Sequence, residues 1–314
     1  MFHHVLVPLD GSPRAEQALP VAARIARATG GSVLLVQVLS PLIDYGGGLA
    51  PVPLMNDQVI ESELTTATTY LKVLAASPLL AGINTSIEVS FGLPAQCLIA
   101  VAQAHQIDLV VLCSHGRTGF TRWALGSVAH RLVHQSSVPV LVLQQRGATT
   151  LLSHLAPARP LAALVPLDGS PLAEMALVPA AHLIAALAAP AQGALHLVQV
   201  VKLFPETAAE GFVSELNEEA LQRAKTYLKA VVERLQETVP DLKLALTYSV
   251  ELGTDVASIL VDLAERGGTN GSNLVAISTH GRSGWERWVL GSVTDRVLST
   301  TRLPMFIVRP RHTR

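Results

Sequence analysis

The sequence predicts an α/β protein built from two tandem, doubly wound, parallel five-stranded sheets. Three observations support this prediction: a long internal repeat, an alternation of apolar runs with helical patterns in each half, and the continuous apolar character of those runs. Continuous Val/Leu runs are typical of parallel strands that are buried on both faces by helices. At 314 residues, the chain is long enough for two domains that each bury a core.

The internal repeat indicates a duplicated domain. Residues 7–19 (VPLDGSPRAEQAL) return at 165–177 as VPLDGSPLAEMAL, and residues 114–128 (SHGRTGFTRWALGSV) return at 279–293 as THGRSGWERWVLGSV. The short segment LVQV also occurs in both halves. Two long blocks repeated in the same order exclude a chance similarity.

The boundary between the copies is predicted from a stretch that has neither helical nor strand periodicity. This stretch, RGATTLLSHLAPARP, ends in proline. We therefore predict a first domain at 1–146, a linker at 147–160 and a second domain at 161–314.

Each half shows the same order of elements. A first strand ends in Asp-Gly-Ser-Pro, a turn-and-cap signal that opens a helix. A second strand, a variable loop and three further strands with intervening helices follow, with the clearest helices at 57–76, 94–105, 214–237 and 254–265. The Gly- and Pro-rich loop at 41–57 is open to two interpretations, a lid over a ligand or a tolerated insertion.

Composition excludes several classes of function. A net charge of −1 argues against binding to nucleic acid or to anionic membranes. Two cysteines, Cys97 and Cys113, provide no disulfide framework, and the N-terminus lacks signal-peptide character, so a cytoplasmic location is predicted. The charge-free stretch Met175–Val201 is long enough to span a bilayer, but its counterpart in the first half carries two arginines. We therefore predict helix, turn and strand there, and no membrane span.

Polar clusters follow the first and fourth strands of each half, where ligands bind in doubly wound sheets. The first cluster is Asp-Gly-Ser at 10–12 and 168–170, and the second includes His-Gly at 115–116 and 280–281. In each half, nine residues separate that glycine from a Gly-Ser pair at 126–127 or 291–292. Because such a pair can open a helix with its first amides directed at an anion, the pattern predicts a phosphate site.

These motifs resemble the universal stress protein family, whose nucleotide-binding members carry Gly-x2-Gly-x9-Gly-Ser/Thr after the fourth strand. The resemblance covers both halves and implies a Rossmann-like, adenine nucleotide alpha-hydrolase-like fold that binds ATP, ADP or AMP, with or without Mg²⁺. The site residues that it implies in the first half are Pro8, Asp10, Val38, Cys113, His115, Gly116, Arg117, Gly126, Ser127 and Val128. Those in the second half are Pro166, Asp168, Val200, Ser278, His280, Gly281, Arg282, Gly291, Ser292 and Val293.

The resemblance also implies roles for these residues. The glycines and serines match the phosphate-binding part, the two aspartates match the adenosine end, and the two valines of the second strand lie against adenine. One departure is that Cys113 and Ser278 stand where the motif has its first glycine. Both are small, so the cleft is expected to persist.

Several of these residues also have structural interpretations. Asp10 and Asp168 can serve as turn residues, ligands or both. The arginines beside the motif glycine face either phosphate or solvent, and the following tryptophans, Trp123 and Trp288, are expected to pack. His115 and His280 are expected to end a strand rather than to act as bases, and no metal site is predicted.

The leading hypothesis is an ATP-binding regulator of the stress response with slow ATPase activity at most. The alternative is an interaction module of the same family that binds no nucleotide. An enzyme is disfavoured because the sequence provides no nucleophile–base set and no carboxylate pair for Mg²⁺. The expected partners are an adenine nucleotide and an unidentified protein. The resemblance also implies pairing of the two domains through their last strands, with homodimer formation left open.

Overall fold

The structure is a computed structural model that describes residues 1–40, 43–44, 52–53, 57–114, 125–144, 151, 160–202, 210–266, 272–279 and 290–309. Contacts divide the chain into two compact units, one made chiefly of residues 2–140 and the other chiefly of residues 141–314. Each sequence repeat is described separately below.

The N-terminal repeat is an α/β layer structure with a five-stranded sheet. Its strands are β1 (His4–Leu9), β2 (Ser32–Leu39), β5 (Asn84–Phe91), β6 (Leu109–Cys113) and β7 (Val140–Leu143), and a separate antiparallel pair comprises β3 (Ile43–Asp44) and β4 (Val52–Pro53). Its helices are α1 (Pro13–Glu16), α2 (Ala18–Thr29), α3 (Asp57–Ala75), α4 (Pro94–Ala104) and α5 (Ser127–Gln135), with a 3₁₀ turn at Pro78–Leu80.

The C-terminal repeat has the same organisation. Its strands are β8 (Leu161–Pro166), β9 (Gly193–Val201), β10 (Leu244–Leu252), β11 (Leu274–Ser278) and β12 (Met305–Val308). Its helices are α6 (Pro171–Glu174), α7 (Leu177–Ala188), α8 (Glu210–Thr238), α9 (Val256–Glu265) and α10 (Ser292–Thr300).

The winding of both sheets reverses beside the first strand of each repeat. The strand order is β7-β6-β1-β2-β5 in the first repeat and β10-β9-β8-β11-β12 in the second. The first strand is parallel to both of its neighbours, β2 and β6 in one repeat and β9 and β11 in the other. The predicted fold class is therefore confirmed, and the reversal creates a crevice at the carboxyl ends of these strands.

The helix that follows Asp-Gly-Ser-Pro shows how the sequence specifies local structure. Ser12 caps it, since the Ser12 Oγ accepts a 3.2 Å hydrogen bond from the Ala15 amide, and Pro13 occupies the first helical position. The predicted single helix is divided at Gln17 into α1 and α2. α2 buries an Ala/Leu/Val/Ile face and ends at Gly30, whose φ of 64° suits glycine.

The charge-free stretch forms a helix and a strand, as predicted. The helical segment Pro171–Ala188 is long and apolar enough to cross a membrane by length and composition. However, α7 packs against β8 and β9, and most of its side chains are buried within the repeat. Burial against the sheet accounts for the apolar composition of this helix.

Candidate functional site

A cavity of about 760 Å³ lies at the carboxyl ends of β8, β9 and β11 in the C-terminal repeat. Its volume falls in the range typical of small-molecule sites. The cavity is lined by all seven described residues that the resemblance implies for this repeat: Pro166, Asp168, Val200, Ser278, Gly291, Ser292 and Val293. Residues separated by more than 100 positions in the chain are thus brought to one site at the crevice where the winding reverses.

The Asp-Gly-Ser turn forms part of the cavity wall. The Asp168 Oδ1 accepts hydrogen bonds from the Ser170 amide at 2.9 Å and from the Ser170 Oγ at 2.6 Å, and Gly169 adopts a φ of 84°. Asp10 makes the same two bonds to Ser12 in the first repeat, at 3.0 and 2.6 Å. The structural role considered for these aspartates is therefore present, and it uses one carboxylate oxygen of each.

The N-terminus of α10 opens onto the cavity. The Gly291 amide donates a hydrogen bond to the Thr279 carbonyl at 2.8 Å, and the Asp295 amide donates one to the Gly291 carbonyl at 2.9 Å. Among the residues that the structure describes, no side chain caps this end of the helix. The amides of Ser292, Val293 and Thr294 consequently have no partner within the helix, and they lie at its electropositive end.

α5 begins in the same way in the first repeat. The Gly126 amide donates to the Ser114 carbonyl at 2.7 Å, and the His130 amide donates to the Gly126 carbonyl at 2.8 Å. Ser127 and Val128 are the first two residues of that helix. Pro8, Val38 and Cys113 lie at the ends of β1, β2 and β6, so each described residue of the first set matches its counterpart in position.

The two substitutions of the first motif glycine leave the strand ends regular. Ser278 pairs with Val308 across parallel strands, and its carbonyl accepts a 3.0 Å bond from the Thr294 Oγ1. Among the residues that the structure describes, the non-glycine residues with positive φ are Phe2 and Gln106. Neither Cys113 nor Ser278 therefore occupies a backbone conformation that favours glycine.

Cys113 is a protonated thiol in this environment. Burial raises its pKa from 9.0 to about 12, and the charge of Asp10 contributes in the same direction. A hydrogen bond to backbone opposes this effect, but burial has the largest effect. Since the thiolate is the reactive form, the structure favours a small packing residue over a redox sensor.

α8 supplies a wall that sequence reasoning did not predict. Ala220, Arg223, Ala224 and Tyr227 line the cavity, and the Tyr227 hydroxyl donates to the Glu174 Oε1 at 2.9 Å. Burial raises the pKa of Tyr227, and the hydrogen bond and charge of Glu174 raise it further. In the first repeat the Tyr70 hydroxyl bonds Glu16 in the same way, at 3.0 Å. The segment TYLK, present in both halves, was the available signal.

Two cationic side chains and a glutamine also line the cavity, and the sequence analysis did not predict any of the three as site residues. Lys202 follows β9, and Arg223 lies on the exposed side of α8, where it is paired with Glu219. Gln199 stands next to Val200 in the repeated LVQV segment. The glutamine could have been predicted from the sequence, because it is repeated in both halves. The two cations could not, because the first half has no cation at the matching positions.

Part of the predicted site lies outside the described residues. This applies to the two His-Gly-Arg segments at 115–117 and 280–282, to Trp123 and Trp288, and to most of the loop at 41–57.

A sequence model of the universal stress protein family matches residues 1–144 and 162–309. The chain belongs to the universal stress protein family. The match occurs twice and covers most of the chain, which agrees with the duplicated sheet and the repeated cavity-lining residues.

Other universal stress proteins resemble the chain over nearly its whole length or over one repeat. It is 26% identical over 314 residues to a universal stress protein of Mycolicibacterium smegmatis, covering 98% of this chain and 97% of that protein. It is 30% identical over 145 residues to universal stress protein A homolog 1 of Coxiella burnetii, covering 45% of this chain and 96% of that protein. The crystal structure of a universal stress protein from Archaeoglobus fulgidus superimposes with a TM-score of 0.66 at 20% identity, covering 98% and 99% of the two chains.

Proposed function

We propose that the chain is an adenine-nucleotide-binding regulator of the stress response, with ATP, ADP or AMP bound in the cavity of the C-terminal repeat. The observation that supports this most strongly is the convergence of the seven predicted residues on one cavity at the crevice of the sheet. A cytoplasmic location and an unidentified protein partner belong to the same proposal.

The lining residues divide into parts that suit the parts of a nucleotide. The uncapped N-terminus of α10 offers amide donors and a positive potential to phosphate oxygens. Asp168 offers a carboxylate to ribose hydroxyls, and Val200 offers an apolar surface to a base. Lys202 and Arg223 add positive charge to the same cavity.

The cavity suits binding better than rapid phosphoryl transfer. Among the described lining residues, Asp168 is the single carboxylate, whereas phosphoryl transfer relies on metal ligands and a positioned nucleophile. Any Mg²⁺ that enters with the nucleotide would be held mainly by the phosphates, and Asp168 and Ser292 are oxygen-bearing side chains of the wall that could complete its coordination. Hydrolysis is therefore proposed to be slow at most.

One observation favours the alternative of a nucleotide-free interaction module. The Asp168 Oδ1 is already engaged by two hydrogen bonds within its own turn. If the aspartate serves only this turn, the adenosine end of the site loses its expected acceptor. The two functions are separated by direct measurement of nucleotide binding.

The experiment has two steps. Any nucleotide released from the purified protein is identified first, and the affinity for ATP is then compared among wild type, Ser292→Asp and Ser292→Asn. Ser292 is exposed at the first position of α10. An aspartate there suits the helix dipole and is expected to stabilise the helix by about 0.3–1 kcal/mol. The same charge repels phosphate, so the affinity of the C-terminal site for ATP should fall by at least about tenfold.

Ser292→Asn is the matched control because it changes the side chain at the same position without adding charge. It should bind ATP within about threefold of wild type, since the backbone amides remain available. A wild-type protein that neither carries adenine nucleotide nor shows an ATP-dependent rise in melting temperature would establish the interaction module instead.

A further inference from the structure

β10 is a free edge of the sheet in the C-terminal repeat. Among the strands that the structure describes, β10 pairs with β9 alone. The Gly253 amide, directly after the strand, donates a hydrogen bond to the Val201 carbonyl on the side of β9. Because backbone groups alternate in direction along a strand, the N–H and C=O groups of Leu246, Tyr248 and Val250 point away from β9.

This edge lacks most of the features by which proteins prevent pairing between sheet edges. It contains no proline, and its single charged residue, Glu251, lies near one end. The apolar side chains at the edge are not fully covered, since Tyr248 is 41% exposed and Leu252 is 44% exposed. A long edge of this kind is a template for a strand from another chain.

The sequence of β10 is complementary to itself in the antiparallel direction. If two copies align with Tyr248 opposite Tyr248, apolar side chains lie opposite apolar ones and hydroxyls opposite hydroxyls: Leu244 with Leu252, Leu246 with Val250, and Thr247 with Ser249. Cross-strand pairs of these kinds stabilise antiparallel sheets. The same alignment brings the outward-pointing backbone groups of the two strands opposite each other, as antiparallel hydrogen bonds require.

The charges near the edge also suit this alignment. Glu251 of one copy lies opposite Ala245 of the other, and Lys243 is two residues before Ala245 in the sequence. Lys243 and Glu251 are therefore diagonal neighbours on the same face of the paired strands, at a separation that long side chains span. The symmetry of the pair produces this contact between opposite charges twice.

β5, the corresponding edge strand of the first repeat, does not have this complementarity. Ile87 is the counterpart of Tyr248, since each pairs with the first leucine of an LVQV segment. An antiparallel pair centred on Ile87 would place Thr85 opposite Val89, and a pair centred on Glu88 would place two carboxylates opposite each other. β5 therefore provides a matched control for β10.

We propose that β10 is a dimerisation edge, through which two copies of this chain pair antiparallel about a symmetry axis at Tyr248. Such an interface uses the same surface on both copies, and self-complementarity is the property that it requires. An unrelated strand would gain the backbone hydrogen bonds but would not be matched to these side chains. The proposal is independent of the nucleotide site.

The first test measures the oligomeric state by sedimentation equilibrium. Wild type should have the mass of two chains, and Tyr248→Lys should weaken dimerisation by at least about tenfold, because two lysines would lie opposite each other at the axis. Ile87→Lys, at the matching position of β5, should leave the dimer unchanged. Thermal melting of both variants shows whether each one is folded.

Exchange of the two charges tests the alignment without replacing an apolar side chain. Lys243→Glu and Glu251→Lys should each weaken the dimer by about fivefold, since each variant places like charges together twice. The double variant should return to within about twofold of wild type, because the opposite charges are restored with their positions reversed.

Cross-linking gives a second measurement of the alignment. In a Cys97→Ser background, Tyr248→Cys should form a disulfide between chains on mild oxidation, because opposed residues of an antiparallel pair lie within disulfide reach. Ile87→Cys in the same background should not.

Three outcomes would overturn the proposal. The first is a wild-type protein that sediments as a single chain. The second is a dimer that Tyr248→Lys leaves intact, or that Tyr248→Lys and Ile87→Lys weaken equally, because the contact would then lie elsewhere. If Tyr248→Lys does not fold, the charge exchange decides, and the third outcome is a double variant that remains as weak as the two single variants.

Discussion

Burial determines the chemistry of Cys113 at the end of β6. Its thiol pKa is raised to about 12, chiefly because the charged form would lose its solvation. A Cys97→Ser variant, which leaves Cys113 as the only thiol, should therefore resist iodoacetamide at pH 8 when folded. The same protein should be alkylated fully in denaturant, as mass spectrometry would show.

Complete labelling of the folded variant at pH 8 would contradict this interpretation of Cys113. It would mean that the thiolate forms readily and would reopen the role of a redox sensor.

At the scale of elements, the junction between β11 and α10 depends on the absence of a side chain at Gly291. A Cβ added there would lie 3.1 Å from the Thr279 carbonyl oxygen, closer than such atoms normally pack. Its φ of −58° is accessible to any residue, so the requirement is close approach rather than a special conformation. Gly291→Ala should lower the free energy of unfolding by about 1–3 kcal/mol in urea titrations.

Ser292→Ala is the neighbouring control for this junction. Its side chain is exposed, so the change should stay within about 0.5 kcal/mol of wild type. Equal stability of Gly291→Ala and wild type would contradict this prediction. It would show that the backbone at Thr279 shifts at little cost to accommodate a Cβ, and that glycine is needed at this position only for ligand binding.

Asp255 joins two helices of the C-terminal repeat. It caps α9 by accepting from Ser258, and its Oδ2 also accepts a 2.9 Å bond from Arg296 on α10. The bond with Arg296 is the main cause of the lowered pKa of Asp255. Because the folded-state pKa lies below the unfolded value, the stabilisation is present above about pH 4 and is lost as the pH falls further.

Asp255→Asn should therefore be less stable than wild type at pH 7, and the difference should shrink at pH 3, because this pH lies below the unfolded-state pKa of the carboxyl and proton uptake by the unfolded state offsets the stabilisation. Urea titrations at the two pH values measure this change. Asp262→Asn, exposed on the same helix, is the control and should differ little at either pH. A difference that persists unchanged at pH 3 would indicate that the charge of Asp255 contributes nothing.

At the scale of the whole molecule, the repetition of the site predicts two bound nucleotides per chain. Both repeats have the Asp-Gly-Ser turn, an uncapped helix N-terminus and the buried glutamine oxygen. Calorimetry with ATP should give a stoichiometry near two for wild type and near one for either Ser127→Asp or Ser292→Asp. The double variant should retain no site of wild-type affinity.

A stoichiometry near one that is abolished by Ser292→Asp alone would restrict binding to the C-terminal repeat. Lys202 and Arg223 would then be the first residues to examine, because the first repeat has Ser40 and Thr66 at the matching positions.

The sequence by itself determined the order of the repeated strands and helices, the duplication, and the Asp-Gly-Ser-Pro segments that open the first helix of each repeat. These features depend on local chemistry: the Ser12 side chain caps its own helix, Gly30 accepts a positive φ, and continuous Val/Leu runs require burial on both faces. The ends of the strands also identified Asp168 and Gly291 as candidates, since parallel strands bring their carboxyl ends to one edge.

Only the tertiary structure decided which other side chains reach that edge. Gln199, Arg223 and Tyr227 lie on a strand and a helix whose sequence patterns record burial but not the neighbour that each side chain meets. The raised pKa of Cys113 and the Gln199 oxygen that is unpaired among the described residues have the same origin. Both depend on how closely distant segments pack around an atom, and that packing exists only once the chain has folded.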